Sequence, residues 1–294
     1  MEQGRIIRAL SGFYDVDNGQ EIVRCRAKGS FRQKKITPLV GDEVRFVPQG
    51  RIEEILPRRN RLIRPPVSNV DQAVIVFAAV YPEPHPMLLE HFLVMVHQQG
   101  IRPVICLNKW DQIQGRECAV ALSLAENYRK AGFCVLCTSI RTGEGIGELK
   151  EELSGKVSVL AGPSGVGKSS LLNALIPGLS LETGSLSEKI QRGKNTTRCA
   201  QLLRLGNEGG FVADTAGFTS LRLTDVTSQT LADAYPEFAS YREECYFPGC
   251  SHISEPECSV RHAVETGQIV RERYEGYRAL WKELKEEEQQ ETTK

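Results

Sequence analysis

Residues Gly162-Pro163-Ser164-Gly165-Val166-Gly167-Lys168-Ser169 fit the pattern GxxxxGK[ST]. The pattern follows the apolar run Val157–Ala161 and opens a helical stretch within Gly167–Leu175. That strand–loop–helix setting is the one in which the pattern has physical meaning. Its glycines let backbone N–H groups point inward at phosphate oxygens, Lys168 reaches the β- and γ-phosphates, and the Ser169 hydroxyl ligates Mg²⁺. Around it, buried strand-like runs alternate with helical patterns: Gln72–Val80, Pro86–Gln99, Arg102–Leu107, Glu117–Ala131 and Phe133–Thr138. Such alternation predicts a doubly wound α/β sheet.

A phosphate loop does not choose its base, but Asn108-Lys109-Trp110-Asp111 does. It sits just after a predicted strand, where an NKxD loop belongs. A carboxylate there accepts both the N1–H and the N2 amino hydrogens of guanine. Adenine offers neither donor at that edge, and a buried carboxylate left unpaired is costly. Asn108 and Lys109 brace the loop and cover the base. Thr138-Ser139-Ile140, after the next strand, fits a weaker motif that contacts guanine O6 through backbone. Asp214-Thr215-Ala216-Gly217 fits DxxG after the predicted strand Gly210–Ala213. There Asp214 would hold Mg²⁺ through water and the Gly217 N–H would sense the γ-phosphate. Between the phosphate loop and DxxG lies the polar stretch Arg192–Arg198, of switch-loop composition. One of its threonines, Thr196 or Thr197, is the expected second Mg²⁺ ligand, and Thr197 is favoured.

The order of these motifs is NKxD, TSI, phosphate loop, first switch, DxxG, whereas conventional GTPases begin with the phosphate loop. Termini of compact domains often lie close, so the same sheet can be cut and rejoined elsewhere. The permutation joins the second switch directly to the C-terminal segment. Phe218 follows DTAG, where many signalling GTPases carry a glutamine that orients the attacking water. Phenylalanine cannot do that, so slow intrinsic hydrolysis is expected, with a partner or another residue completing the site.

The flanking segments have other textures. Short alternating or β-branched runs at Arg5–Leu10, Glu21–Ala27, Asp42–Val47 and Arg51–Leu56 are separated by turn signals, Lys28-Gly29-Ser30 among them. About five strands in some 60 residues predict a small barrel of OB or SH3 type. Its aromatics, Phe13, Tyr14, Phe31 and Phe46, are read mainly as core, with base stacking as the alternative. Residues 1–66 hold 14 Lys and Arg against 8 Asp and Glu, whereas residues 219–266 hold 3 against 8. A basic end is either a nucleic-acid surface or an ordinary solvated one. Pro57–Pro66 reads as a basic, extended connection. Near the other end, Tyr274, Tyr277, Trp281 and Leu284 form one stripe on a predicted helix, Ile269–Glu288, with Glu286–Lys294 expected to fray. No apolar run approaches the roughly 20 residues that span a bilayer. Met1–Leu10 has no secretory hydrophobic stretch, so a cytoplasmic protein without membrane contact is expected.

Of nine cysteines, Cys245, Cys250 and Cys258 cluster around His252. Three thiolates and an imidazole complete a tetrahedral zinc shell with no open position, hence one structural Zn²⁺ per chain. Cys134 and Cys137 fall within a predicted strand and read as strand residues. His85, His91, His97 and His262 have no evident partners.

These features together resemble the ribosome small subunit-dependent GTPases (RsgA, YjeQ, YloQ) along the whole chain. The resemblance implies a multidomain α/β protein: an OB-type barrel over 1–66, a circularly permuted GTPase domain over 67–221 and a helical zinc-binding domain over 222–294. It implies a monomer that binds GTP and GDP, docks on the small ribosomal subunit and its rRNA, and hydrolyses GTP to GDP and phosphate, stimulated by the subunit, in late subunit maturation. The family's nucleotide residues carry over to Asn108 to Asp111 and to Gly162 to Ser170, and its zinc ligands to Cys245, Cys250, His252 and Cys258. Lys168, Thr197 and Asn195 are the catalytic candidates. Family members commonly have a histidine before the paired threonines, where this chain has Asn195. An amide is no general base, though it can orient water. The alternative is a GTP-regulated RNA-binding module with negligible hydrolysis.

Overall fold

The first strand, β1 (Glu2–Leu10), pairs antiparallel with two neighbours, β2 (Phe13–Asp17) and β4 (Glu43–Val47). The register with β2 shifts between Ile6 and Arg8. β3 (Ile22–Ala27) pairs with β2, and β5 (Arg51–Ile55) pairs with β4 and runs parallel to β3. The ring β1-β2-β3-β5-β4 is thereby closed, a five-stranded barrel of OB type. Alternation does the work: Val44 and Phe46 point in while Arg45 points out, and Ile6, Val16, Cys25 and Ile52 complete the interior. The computed structural model describes residues 1–63, 65–113, 119–179, 181, 201–206, 209–214, 223 and 226–292.

Two local expectations change. Gly29–Gln33 is a short helix, α1, rather than a turn, because Phe31 must reach the core. Phe13–Asp17 is a strand that the alternating-run reading did not single out. Of the aromatics, Phe46 and Phe31 are buried, Tyr14 packs against the core, and Phe13 is exposed beneath the Arg26 guanidinium at 4.5 Å. The extended connection after β5 is pinned by its own arginines. Arg58 donates to both oxygens of fully buried Asp42 at 2.7 Å, and Arg59 pairs with Asp71 at 2.7 Å.

The second sheet runs β10 (Gln201–Arg204), β11 (Phe211–Asp214), β9 (Val157–Ala161), β6 (Gln72–Ala78), β7 (Arg102–Asn108), β8 (Cys134–Thr138). All its pairings are parallel except β10 with β11. Every residue of β6 is buried, as a strand covered on both faces requires. Its alternate residues feed two cores. Ile75 and Phe77 meet α2 (Pro86–Gln98) and α3 (Ala119–Lys130) through Leu89, Phe92 and Tyr128. Val74, Val76 and Ala78 meet α4 (Ile146–Leu153) and α5 (Lys168–Leu175) through Leu149, Leu171 and Leu172. Each Val, Leu, Ile or Phe among them contributes about 1.5–3 kcal/mol on burial.

In space the order is permuted relative to the chain. From β9 the chain proceeds to β10 and β11 on one side, while β6, β7 and β8, which precede it, extend the other side. β1 of the barrel pairs with β10 at Arg8 and Gln201, so both sheets form one 11-stranded surface.

The C-terminal part is helical: turns at Leu231–Ala234 and Pro236–Phe238, then α6 (Ala239–Arg242), α7 (Ser259–Glu265) and α8 (Arg271–Thr292). Tyr274, Tyr277 and Leu284 are buried on α8 as the stripe predicts, with Leu280 added and Trp281 at the margin. α8 continues to Thr292, into the segment expected to fray, and residues 293–294 lie outside the described residues. Glu288 accepts hydrogen bonds from the Ser228 amide (2.7 Å) and hydroxyl (2.8 Å), which fastens the last turns. His91 also has a partner, Glu283 of α8 at 3.1 Å, and His85 caps α2 by accepting from the Leu88 amide. Beneath them Glu90 and Arg273, each 1% exposed, form a direct ion pair. Tyr128 and Tyr235 donate to the Glu90 carboxylate, and Arg273 also donates to Glu237 at 2.6 Å. Among the described residues no helix is long and apolar enough to cross a membrane.

Candidate nucleotide site and metal centre

The strand β9 lies where the sheet's connections diverge to opposite sides, and its carboxyl end is where an open α/β sheet receives ligands. The loop Gly162–Gly167 leaves β9 there and turns into α5. Gly162 has φ +126° and a Cβ on it would sit 2.1 Å from the Val76 carbonyl oxygen of the neighbouring strand. Gly167 has φ +97° and a Cβ on it would sit 2.4 Å from Asn108 Nδ2. Both positions therefore require glycine. The first amides of α5 have no partners within the helix, which makes this end an anion receptor. Lys168 Nζ donates to the carbonyls of Gly162 (2.8 Å) and Pro163 (2.6 Å). Burial lowers its pKa to about 8.

The base-recognition motifs converge on the same loop. Buried Asn108, at the end of β7, donates from Nδ2 to the Val166 carbonyl at 2.9 Å and accepts from Thr138 Oγ1 at 3.2 Å. Lys109, in the left-handed region at φ +60°, donates from Nζ to the carbonyls of Tyr81 (2.7 Å) and Gly165 (2.8 Å). The ends of β7, β8 and β9 are thus tied together by side chains of NKxD and TSI. Asp111 lies in the short turn Trp110–Gln112. Ser139 Oγ donates to its Oδ1 at 2.5 Å and Arg141 Nε to its Oδ2 at 2.7 Å. These contacts, the Ser139 bond foremost, hold the Asp111 carboxyl below the usual range.

Of the residues expected from sequence, Asn108, Lys109, Asp111, Thr138, Ser139 and the loop from Gly162 to Lys168 are brought together. Trp110 packs against the hydrophobic core. Ser169 and Ser170 stand in the first turn of α5. The backbone of Asp214 closes β11, one residue beyond the Ala213–Val159 pairing with β9. Asn195, Thr196, Thr197, Gly217 and Phe218 lie outside the described residues. Arg141 escaped the sequence reading; the available signal was a guanidinium two residues beyond Ser139, within reach of the motif's carboxylate.

The second centre is the Cys/His cluster. The ligand atoms of Cys245, Cys250, His252 and Cys258 all lie within 4.8 Å of one another. His252 Nδ1 is 3.6 Å from Cys245 Sγ and 3.3 Å from Cys258 Sγ, and those two sulfurs are 4.0 Å apart. Metal–sulfur bonds of about 2.3 Å and metal–nitrogen bonds of about 2.0 Å in a tetrahedron call for roughly 3.8 Å between sulfurs and 3.5 Å between sulfur and nitrogen. The donor set fits, and these residues could hold a metal ion. Burial pushes the Cys250 thiol up to about 12 and His252 down to about 4. Both shifts oppose charge, and a bound cation supplies the compensation.

The cluster's backbone is held from outside. Tyr274 and Tyr277 donate to the carbonyls of His252 (2.7 Å) and Ser251 (2.6 Å). Glu255 accepts from the amides of Ser251, Ile253 and Ser254 and from the Ser251 hydroxyl. Burial alone would raise its pKa, but those hydrogen bonds prevail and bring it to about 2.

A barrel, a permuted phosphate-loop sheet with guanine motifs and a Cys/His cluster define a GTP-binding protein of unusual strand order. Comparison with known proteins agrees. The RsgA GTPase family model matches residues 55–224 and the RsgA N-terminal domain model matches residues 3–53. The chain belongs to the RsgA GTPase family. It is 46% identical over 290 residues to the small ribosomal subunit biogenesis GTPase RsgA of Bacillus cereus strain ATCC 10987, covering 97% of this chain and 98% of that one. The protein of the same name from Geobacillus sp. strain WCH70 is 48% identical, with the same coverage. Among solved structures it resembles YjeQ from Thermotoga maritima, with a TM-score of 0.85, 37% identity and coverage of 96% and 98%. It also resembles YloQ, a circularly permuted GTPase, with a TM-score of 0.81, 38% identity and coverage of 98% and 96%.

Proposed function

We propose that this chain is a GTPase that binds the small ribosomal subunit and its rRNA and hydrolyses GTP to GDP and phosphate during late subunit maturation. The observation that carries the reading is the direct bracing of the phosphate loop by the guanine motif, Asn108 to Val166 and Lys109 to Gly165. Base recognition and phosphate binding are thereby one rigid site. The chain's relatives, named for small-subunit biogenesis, support the choice of partner.

In this reading Asp111 accepts the guanine edge, with Asn108, Lys109, Trp110, Thr138 and Ser139 around it. The amides from Gly162 to Ser170 bind the phosphates, and the Lys168 ammonium turns from its own loop to the β- and γ-oxygens. Ser169, Thr197 and Asp214 would hold Mg²⁺, whose charge would offset that developing on the transferred phosphoryl group. Gly217 reports the γ-phosphate. Asn195 orients water and cannot take its proton. Cys245, Cys250, His252 and Cys258 hold one Zn²⁺ as a structural brace. The units 1–66, 67–221 and 222–294 act as an RNA-binding barrel, a GTPase domain and a zinc domain of a cytoplasmic monomer. The basic excess of residues 1–66 suits phosphate contact.

Single-turnover hydrolysis of GTP, with and without purified small subunits, tests the reading. A subunit-dependent rise in rate is expected. Unchanged rates beside nucleotide-dependent co-sedimentation with the subunit would replace it by a GTP-regulated RNA-binding module. The Asn195→His variant, run alongside, is expected to hydrolyse faster.

A further inference from the structure

Asp111 is engaged at both carboxylate oxygens by residues of one turn. Ser139 reaches Oδ1, and Arg141, two positions on, reaches Oδ2 at 2.7 Å through Nε. The turn is closed on itself. The Ser139 amide donates to Glu144 O at 2.9 Å, the Gly143 amide to Ser139 O at 2.9 Å and the Thr142 amide to Ser139 Oγ at 3.2 Å. The Asp111 side chain is 7% exposed and that of Arg141 is 74% exposed. Lys109, the cation within the motif, is committed to two carbonyls. Among the described residues, Arg141 is the cation paired with the base-reading carboxylate.

An ionised carboxylate has about four acceptor positions. Ser139 and Arg141 occupy one on each oxygen, leaving one on each for an incoming pair of donors. We propose that Arg141 is a specificity-determining residue for guanine: it fixes the rotation of the Asp111 carboxylate so that the two remaining acceptor positions face the N1–H and 2-amino edge together. This inference rests on the guanine-site reading above. It is independent of whether hydrolysis is fast. A hydrogen-bonded guanidinium sets the plane of a carboxylate, whereas an ammonium acts as a point charge. Arg141→Lys should therefore restore charge without restoring orientation.

The test uses the full chain and compares GDP with inosine diphosphate, which keeps N1–H and lacks the 2-amino group. Dissociation constants are measured by titration calorimetry for the unmodified protein and for Arg141→Ala, Arg141→Lys and Asp111→Asn. With a solvent-exposed partner, Arg141→Ala should weaken GDP about three- to fivefold and inosine diphosphate less than about twofold. The preference for GDP falls accordingly, and Arg141→Lys falls between. The difference should shrink at high salt, because the pair is open to screening. Equal weakening of both nucleotides by Arg141→Ala, or no weakening, overturns the inference. If Asp111→Asn leaves GDP binding unchanged, the guanine-site reading itself fails. If Asp111→Asn abolishes the preference and Arg141→Ala does not touch it, only the role of Arg141 is lost.

Discussion

The nucleotide loop and the Cys/His cluster each gather residues from separated points of the chain, yet they are held in opposite ways. The nucleotide site is self-braced. Asn108, Lys109 and Thr138 hydrogen-bond to the loop or to one another, and every strand end they occupy is fixed by the sheet. The cluster instead points three thiols and an imidazole at a common centre. Its supporting bonds, from Tyr274, Tyr277 and Glu255, hold the surrounding backbone and leave the donor atoms facing one another. Among the described residues His252 Nε2 is buried without a partner. A self-braced site should survive loss of its ligand. A site made of facing donors should not.

Metal removal is the strongest way to break that contrast. Structural zinc in small domains is worth on the order of 10 kcal/mol of apparent binding energy. Chelation, or Cys250→Ser, is expected to melt the part around α7 and the start of α8. The readouts are lost near-ultraviolet dichroism from Tyr274 and Tyr277 and new protease cuts between Glu243 and Gly267. GDP affinity should change little, since among the described residues the hydrogen bonds of the cluster's donor atoms stay within the C-terminal part. A parallel loss of GDP binding would mean that the two sites share one cooperative unit.

The junction between the two regions supplies the next test. Glu90 of α2 and Arg273 of α8 are fully buried and paired. Arg273 also lies over the Tyr235 ring at 4.4 Å and the Phe133 ring at 5.0 Å. Removing Glu90 leaves Arg273 with Glu237 alone, and a buried charge that loses a partner costs up to about 3–5 kcal/mol. Glu90→Gln should therefore lower the thermal midpoint markedly. Glu90→Gln with Arg273→Met should recover part of the loss, because the charge it leaves unpaired is that of Glu237, which is less deeply buried. If the double variant is less stable than either single one, the pair does more than balance charge.

This junction also marks where the sequence stops being informative. The nucleotide motifs and the Cys/His spacing are legible because their chemistry is written in neighbouring residues. Nothing adjacent to Glu90 marks it as buried, since its partners Tyr128, Tyr235 and Arg273 lie 38, 145 and 183 residues away. His91 and Glu283, 192 residues apart, were hidden for the same reason. Other omissions had local signals. Ile146, Leu149 and Leu153 carry the spacing of α4, with Leu149 and Leu153 buried. β10 was unreadable because four residues give too short a period. It is defined by its pairing with β11 and β1.

A narrower break concerns the self-braced site alone. Asp111→Asn keeps one acceptor oxygen, removes the charge and sets an NH2 donor where Ser139 or Arg141 now donates. Truncating a hydrogen-bonded charge of this kind costs about 2–5 kcal/mol, so GDP should bind on the order of a hundredfold more weakly. The thermal midpoint should hardly move, because the strand ends remain tied through Asn108. A large fall in stability would show that Asp111 belongs to the scaffold as well as to base recognition.

The smallest expected signal comes from Lys168, whose pKa burial lowers to about 8 from an ordinary value of 10.5. In that window the unfolded chain binds more protons than the folded one, so stability contributed by this group rises with pH and is lost as pH falls through it. Phosphate oxygens favour the ammonium and reverse the shift. GDP binding should therefore take up a fraction of a proton near pH 8.5, and affinity should decline as pH rises further. Calorimetry in two buffers of different ionisation enthalpy measures the uptake directly. Lys168→Arg, which stays charged throughout, should show none even if it binds GDP less tightly. Equal proton uptake in that variant would assign the proton to another group, and would leave Lys168 charged against its own loop carbonyls before the nucleotide arrives.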